Sequence, residues 1–219
     1  MLYTKVLKWL SVILVIAVII PIISCGNKEN QALTPTATVT TEYPIPSDFY
    51  TYNDSTGLFS ISYPADWHVA SELLPYLHEK LMEYINSSGS SVNVGNAMFS
   101  ASTNSSLDYR ASMNIVIGPL PSNLHDIEEL TEAMMQSAKS VPSFGSFDEI
   151  CRAYTVIDGR EAAIIECESE IQGTTTHGLM MITTAGNLIW QVTSVTIPDS
   201  FSEHEDDFQA IIHSLRIHY

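Results

Sequence analysis

Basic side chains are the scarcest component of this 219-residue chain. Nine lysines and arginines stand against 25 aspartates and glutamates, a formal net charge of −16. A field of that sign repels phosphate backbones and anionic headgroups, which argues against nucleic acid as a partner. Cysteine is sparse too, at three residues. No multi-disulfide scaffold and no four-thiolate metal site can be built from three. The Gly-x-Ser-x-Gly nucleophile elbow is missing: Ser143-Phe144-Gly145-Ser146-Phe147 lacks the second glycine. No glycine-rich phosphate loop ending in lysine occurs. These absences assign no catalytic residue and require no cofactor.

What the chain does have is an apolar run from Trp9 to Ile23, preceded by Lys5 and Lys8 and ending in Ser24-Cys25. A basic start, an apolar middle and a small residue at the end describe a secretory signal. The cysteine directly after Ser24 resembles a bacterial lipobox, with cleavage between Ser24 and Cys25 and lipid on Cys25. A lipobox cysteine carries more than one acyl chain, palmitate among them, as stable attachment requires. The run is about 15 residues, roughly 22 Å as helix, short of the about 30 Å hydrocarbon core. An uncleaved N-terminal anchor stays open as the alternative. Either way Lys5 and Lys8 hold the N-terminus inside and leave the rest extracytoplasmic, on the cell membrane. Without residues 1–24 the chain keeps seven basic and 25 acidic residues, a charge of −18.

Three regions follow: a lipoprotein signal peptide over 1–24, a lipidated cysteine and disordered tether over 25–48, and a globular domain over 49–219. The tether is rich in Asn, Gln, Thr and Pro, as in Thr34-Pro35-Thr36-Ala37-Thr38-Val39-Thr40-Thr41, with no apolar periodicity to bury. At full extension, about 22 residues reach roughly 70 Å.

The domain opens with turn formers from Asn53 to Gly57. Phe59, Ile61 and Tyr63 then alternate with Ser60 and Ser62, a strand with one buried face. Pro64 ends it, and Trp67 follows as an apolar anchor. Gly-x-Phe-Ser-Ile-x-Tyr-Pro-x-x-Trp resembles the opening of the PsbP-like family, which includes the extrinsic lumenal subunit of photosystem II and many bacterial lipoproteins. Asn114-Ile115-Val116-Ile117 with Pro119-Leu120-Pro121 is similar to that family's middle strand and its exit. Ile157-Asp158-Gly159-Arg160-Glu161-Ala162 is similar to its glycine-turn hairpin, and Phe208 to Ile217 to its closing helix and strand. The resemblance implies an α/β/α sandwich and, since members mostly bind or assemble, no reaction.

Periodicity supports an α+β fold independently. Helices are expected over 72–85, capped by Ser71, over about 125–139, and over 200–213, where Ser200 and Glu203 fit a capping box. Strands are expected over 97–102, 112–118, 148–156, 161–170, 174–184 and 187–196. With the entrance strand and a short closing one they form an antiparallel sheet of about eight strands flanked by helices.

Cys151 and Cys167 lie on opposite arms of the hairpin around Asp158-Gly159. A three-residue loop from Asp158 to Arg160 pairs them on one face and allows a disulfide; a two-residue loop turns them to opposite faces and leaves buried thiols. His204-Glu205-Asp206-Asp207 starts like the helical zinc motif, but Phe208 stands where the second histidine belongs, so no metal site is assigned. Glu166, Glu168 and Glu170 alternate on one strand face and read as a solvent stripe. His177, His213 and His218 share no site-forming spacing. The sequence therefore points to a membrane-anchored extracytoplasmic lipoprotein acting as a non-catalytic binding or assembly module. Its expected partners are the membrane, through the lipid, and an unidentified protein or cell-envelope component. An extracytoplasmic hydrolase or metal-dependent enzyme with an unrecognised site is the alternative.

Overall fold

The computed structural model describes residues 43–69, 96–103, 111–124, 126–140, 144–171 and 173–218. Cys25, the signal segment, most of the tether and the helix expected over 72–85 lie outside the described residues.

Ten strands and two helices are described. In chain order they are β1 (Phe49–Asn53), β2 (Phe59–Pro64), β3 (Trp67–Val69), β4 (Asn96–Thr103), β5 (Ala111–Pro119), α1 (Ile127–Lys139), β6 (Phe144–Ile157), β7 (Arg160–Ile171), β8 (Thr174–Ala185), β9 (Leu188–Thr196), α2 (Phe201–Ser214) and β10 (Arg216–Ile217). They form two antiparallel sheets, where the sequence suggested one of about eight strands. Seven strands run β3-β4-β5-β9-β8-β7-β6, and three run β1-β2-β10. The split arises because β10 joins β2, through Arg216 opposite Ser60 and Ile217 opposite Phe59. The entrance strand is thereby held in a separate layer.

Alternation sends each strand's side chains to opposite faces of the large sheet, and both faces are buried. Met113, Ile115, Leu179, Met181, Trp190 and Val192 meet Phe59 and Ile61 of β2 and Phe208, Ile211 and Ile212 of α2. On the other face Val116, Ile165, Cys167, Met180 and Ile182 meet Leu130, Met134 and Met135 of α1. Helix α1 starts where Asp126 accepts hydrogen bonds from the Glu128 and Glu129 amides, satisfying two orphan donors of the first turn. Helix α2 differs from its expected capping box. A 3-10 turn over Pro198–Ser200 leads into it, and Ser200 makes no side-chain cap.

Strand β2 departs from the one-face reading as well. Ser60 and Ser62 are buried along with Phe59 and Ile61. The Ser214 hydroxyl at the end of α2 accepts from the Ser62 amide at 2.8 Å, and the Thr51 and Ser62 hydroxyls lie 3.0 Å apart. His218 Nε2 lies 3.3 Å from the Ser60 hydroxyl, and the serine face is buried because these partners satisfy it.

Candidate functional site

The densest group of chemically active side chains outside the core lies where β6, β7 and β8 run side by side, on the face that carries α2. Glu166 is at its centre. One carboxylate oxygen lies 2.8 Å from His177 Nε2, and the other accepts from the Cys151 thiol at 3.4 Å. His177 Nδ1 lies 3.5 Å from Glu168. The imidazole stacks flat on Phe201 at the start of α2, with centroids 3.8 Å apart and planes 2° apart. Register explains the grouping: Cys151 is opposite Glu166, and Glu168 is opposite His177.

The same register removes the condition for a Cys151–Cys167 disulfide. The hairpin loop is two residues, Asp158-Gly159, with Ile157 opposite Arg160. Both loop residues take the left-handed conformation, φ 52° and 73°, as tight two-residue hairpins demand. Cys167 is thus opposite Glu149, past a bulge at Ile150. Both thiols are free, Cys151 exposed and Cys167 buried. Burial pushes the Cys167 thiol up to about 12. Cys151 is also raised, by partial burial first and then by its hydrogen bond to Glu166. A thiol donating to a carboxylate remains a thiol, and His177 bonds that carboxylate rather than sulfur. The arrangement is not a cysteine–histidine nucleophile. The glutamate stripe is accordingly only partly solvated, with Glu166 engaged on both oxygens.

A second group lies along α2. Both ring nitrogens of His204 are buried without a hydrogen bond. Nδ1 is 4.0 Å from Asp207, and the ring stacks on Phe208. Burial raises the Asp207 pKa; Asp48, Asp66 and Asp206 add to the rise and His204 opposes it. Among the described residues no trio of His, Cys, Asp or Glu is placed to hold a metal ion, and no helix is long and apolar enough to cross a membrane. Tyr43, inside the segment read as tether, rests on α2. Its hydroxyl donates to Asp206 at 3.1 Å, and its ring stacks on His213.

The chain matches no protein-family profile and no curated protein. It does match solved structures. Cyanobacterial PsbP (CyanoP) from Synechocystis sp. PCC 6803 aligns over 85% of this chain and 99% of its own, with 13% identity and a TM-score of 0.55. LpqN, involved in cell envelope biogenesis of Mycobacterium tuberculosis, aligns over 77% and 90%, with 10% identity and a TM-score of 0.50. The fold is PsbP-like. Within this PsbP-like domain, the sequence had shown the alternating glutamates. It had not shown their histidine and thiol partners, because contact between Glu166 and His177 depends on the β7–β8 register, which no local pattern encodes.

Proposed function

We propose that the chain is a lipid-anchored, extracytoplasmic lipoprotein whose PsbP-like domain is a non-catalytic binding or assembly module. The observation that carries this reading is the pairing of a lipobox-like Ser24-Cys25 with a fold shared with LpqN, a protein involved in cell envelope biogenesis, and with CyanoP. The signal peptide spans 1–24, and the tether holds the domain off the membrane for an envelope or protein partner. The state of Cys151 supports the non-catalytic part: the exposed thiol is held protonated beside Glu166. Cys25→Ala should abolish lipid labelling and leave an uncleaved precursor. Normally processed, labelled protein from that variant refutes the anchor. Capture of a partner from detergent-solubilised membranes, lost when the folded domain is deleted, tests the binding role. Hydrolytic or metal-dependent turnover by the purified chain overturns the non-catalytic reading.

A further inference from the structure

Strand β6 ends the seven-stranded sheet; β7 occupies one of its edges and no strand among the described residues occupies the other. Proteins usually blunt such an edge with lysine, proline or a bulge. Strand β6 contains neither lysine nor proline. Its two register shifts fall at its N-terminal half, and Cys151 to Ile157 pair with β7 without interruption. The first half of that stretch and its approach carry exposed apolar side chains. Ile150 is 51% exposed and Tyr154 43%, and Cys151 and Ala153 are exposed beside them.

Charge selects what fits there. Asp148 on β6 lies directly opposite Glu168 on β7. Facing pairs of like charge are unfavourable, and this one lies on the two strands nearest the unpaired edge. Glu166 and Glu170 extend the same acidic face. The nearby basic groups are already engaged: His177 lies 2.8 Å from Glu166 and 3.5 Å from Glu168, Arg152 forks onto Glu149 at 2.6 and 2.7 Å and reaches Glu132, and Arg160 is tied to Asp158 at the far end of the hairpin. A second copy of a chain with net charge −16 would add acid to acid. A basic strand would place cations where the anions are.

We propose that β6 accepts an extended, lysine- or arginine-bearing segment of a partner protein as an additional strand. Backbone ladder bonds would supply the attachment, and the acidic face of β7 the choice of partner. The proposal rests on the binding-module reading and adds the chemistry of the partner.

The test uses the full-length chain in detergent and a blocked, fluorophore-labelled peptide of alternating lysine and valine. A lysine–proline peptide keeps the charge but loses half of the amide donors. Anisotropy should show the lysine–valine peptide binding at least about tenfold tighter than the lysine–proline peptide, with affinity falling as salt rises. Bound peptide should slow hydrogen exchange at amides between Cys151 and Val156. Glu168→Gln should weaken binding and flatten the salt dependence. Equal affinity for both peptides would reduce the effect to charge adsorption and overturn the proposal. So would absence of binding, or protection confined to other strands. Concentration-dependent dimerisation with protection of β6 would overturn it in favour of a second copy. None of these results touches the lipid anchor or the capture of a partner by another surface, which the Cys25 and domain-deletion experiments decide separately.

Discussion

Replacing Trp67 by alanine is the most direct probe of how the entrance segment is held. Trp67 is 5% exposed within the α2-side core. Its ring meets Phe208 edge to face, with centroids 6.5 Å apart. It begins β3, a strand of three residues that, among the described residues, pairs only with β4, through Trp67 opposite Thr103, His68 opposite Ser102 and Val69 opposite Ala101. Truncating a buried tryptophan costs about 3–5 kcal/mol through lost transfer energy and the cavity left behind. A short edge strand collapses into the gap more readily than a central one, so the lower end, about 3 kcal/mol, is expected. Against a typical total of about 5–15 kcal/mol that is a large fraction. In a domain of this size it corresponds to a melting temperature lower by about 6–12 °C. Trp67→Phe keeps a ring against Phe208 and should lose less than half as much. Thermal melts followed by far-ultraviolet circular dichroism read both. A Trp67→Ala midpoint within about 2 °C of wild type would refute the core assignment and turn attention to the ring as a ligand platform.

Three further outcomes follow from the packing and the charges. Gly178→Ala places a Cβ 2.1 Å from the Ser194 carbonyl oxygen and 2.8 Å from the Val195 Cα; both are backbone atoms, so β8 and β9 must part, at a cost of at least about 1–3 kcal/mol, and an unchanged melt would disprove that close approach. Asp126→Ala removes the cap of α1 and should cost about 1 kcal/mol in chemical denaturation, with Asp126→Asn restoring most of it. Burial, and then Arg216, lowers the His213 pKa below its ordinary 6.5. A base with a depressed folded pKa contributes stability above its unfolded value that is lost as pH falls through the folded one. Wild type should therefore lose more stability than His213→Gln on acidification from about 6.5 downward, and parallel curves for the two proteins would rule out the His213 contribution.

Most elements were legible because each carried its own local signal. The central strands alternate between two apolar faces, and Asp158-Gly159 and Gly186-Asn187 mark the hairpins; the cap at Asp126 is missed, because the helix is expected to begin at about residue 125. The misreadings share a physical origin. Strand β1, with the pattern Phe-Tyr-Thr-Tyr-Asn, has a largely exposed face and is a strand because β2 pairs with it. The serines of β2 look solvent-facing until Thr51 meets the Ser62 hydroxyl, His218 the Ser60 hydroxyl, and Ser214, 152 residues away, the Ser62 backbone. The cysteine register depended on one residue of loop length. Composition does not fix that length, because Asp158 can adopt the left-handed conformation as well as Gly159.

The layering also locates where this domain can meet another molecule. Helix α1 covers one face of the large sheet, and α2 with the three-stranded sheet covers the other. Recognition through a sheet face would require opening a core that contains Trp190, Phe59, Phe99 and Phe208, all buried almost completely. Among the described strands, the sheet edges are left with unpaired backbone groups. Strand β3 is too short to offer a ladder of useful length, whereas β6 is the longest strand described. The covering helices reach their limit there: neither α1 nor α2 buries Ile150, Cys151, Ala153 or Tyr154. The Glu166–His177 pair, stacked on Phe201, marks the line where the α2 layer stops. Beyond it the sheet carries acidic side chains over an apolar edge. A surface that is apolar along the strand and acidic beside it favours an extended basic partner over a flat apolar one. Pairing β6 with a second copy would instead bring together two faces of the same charge.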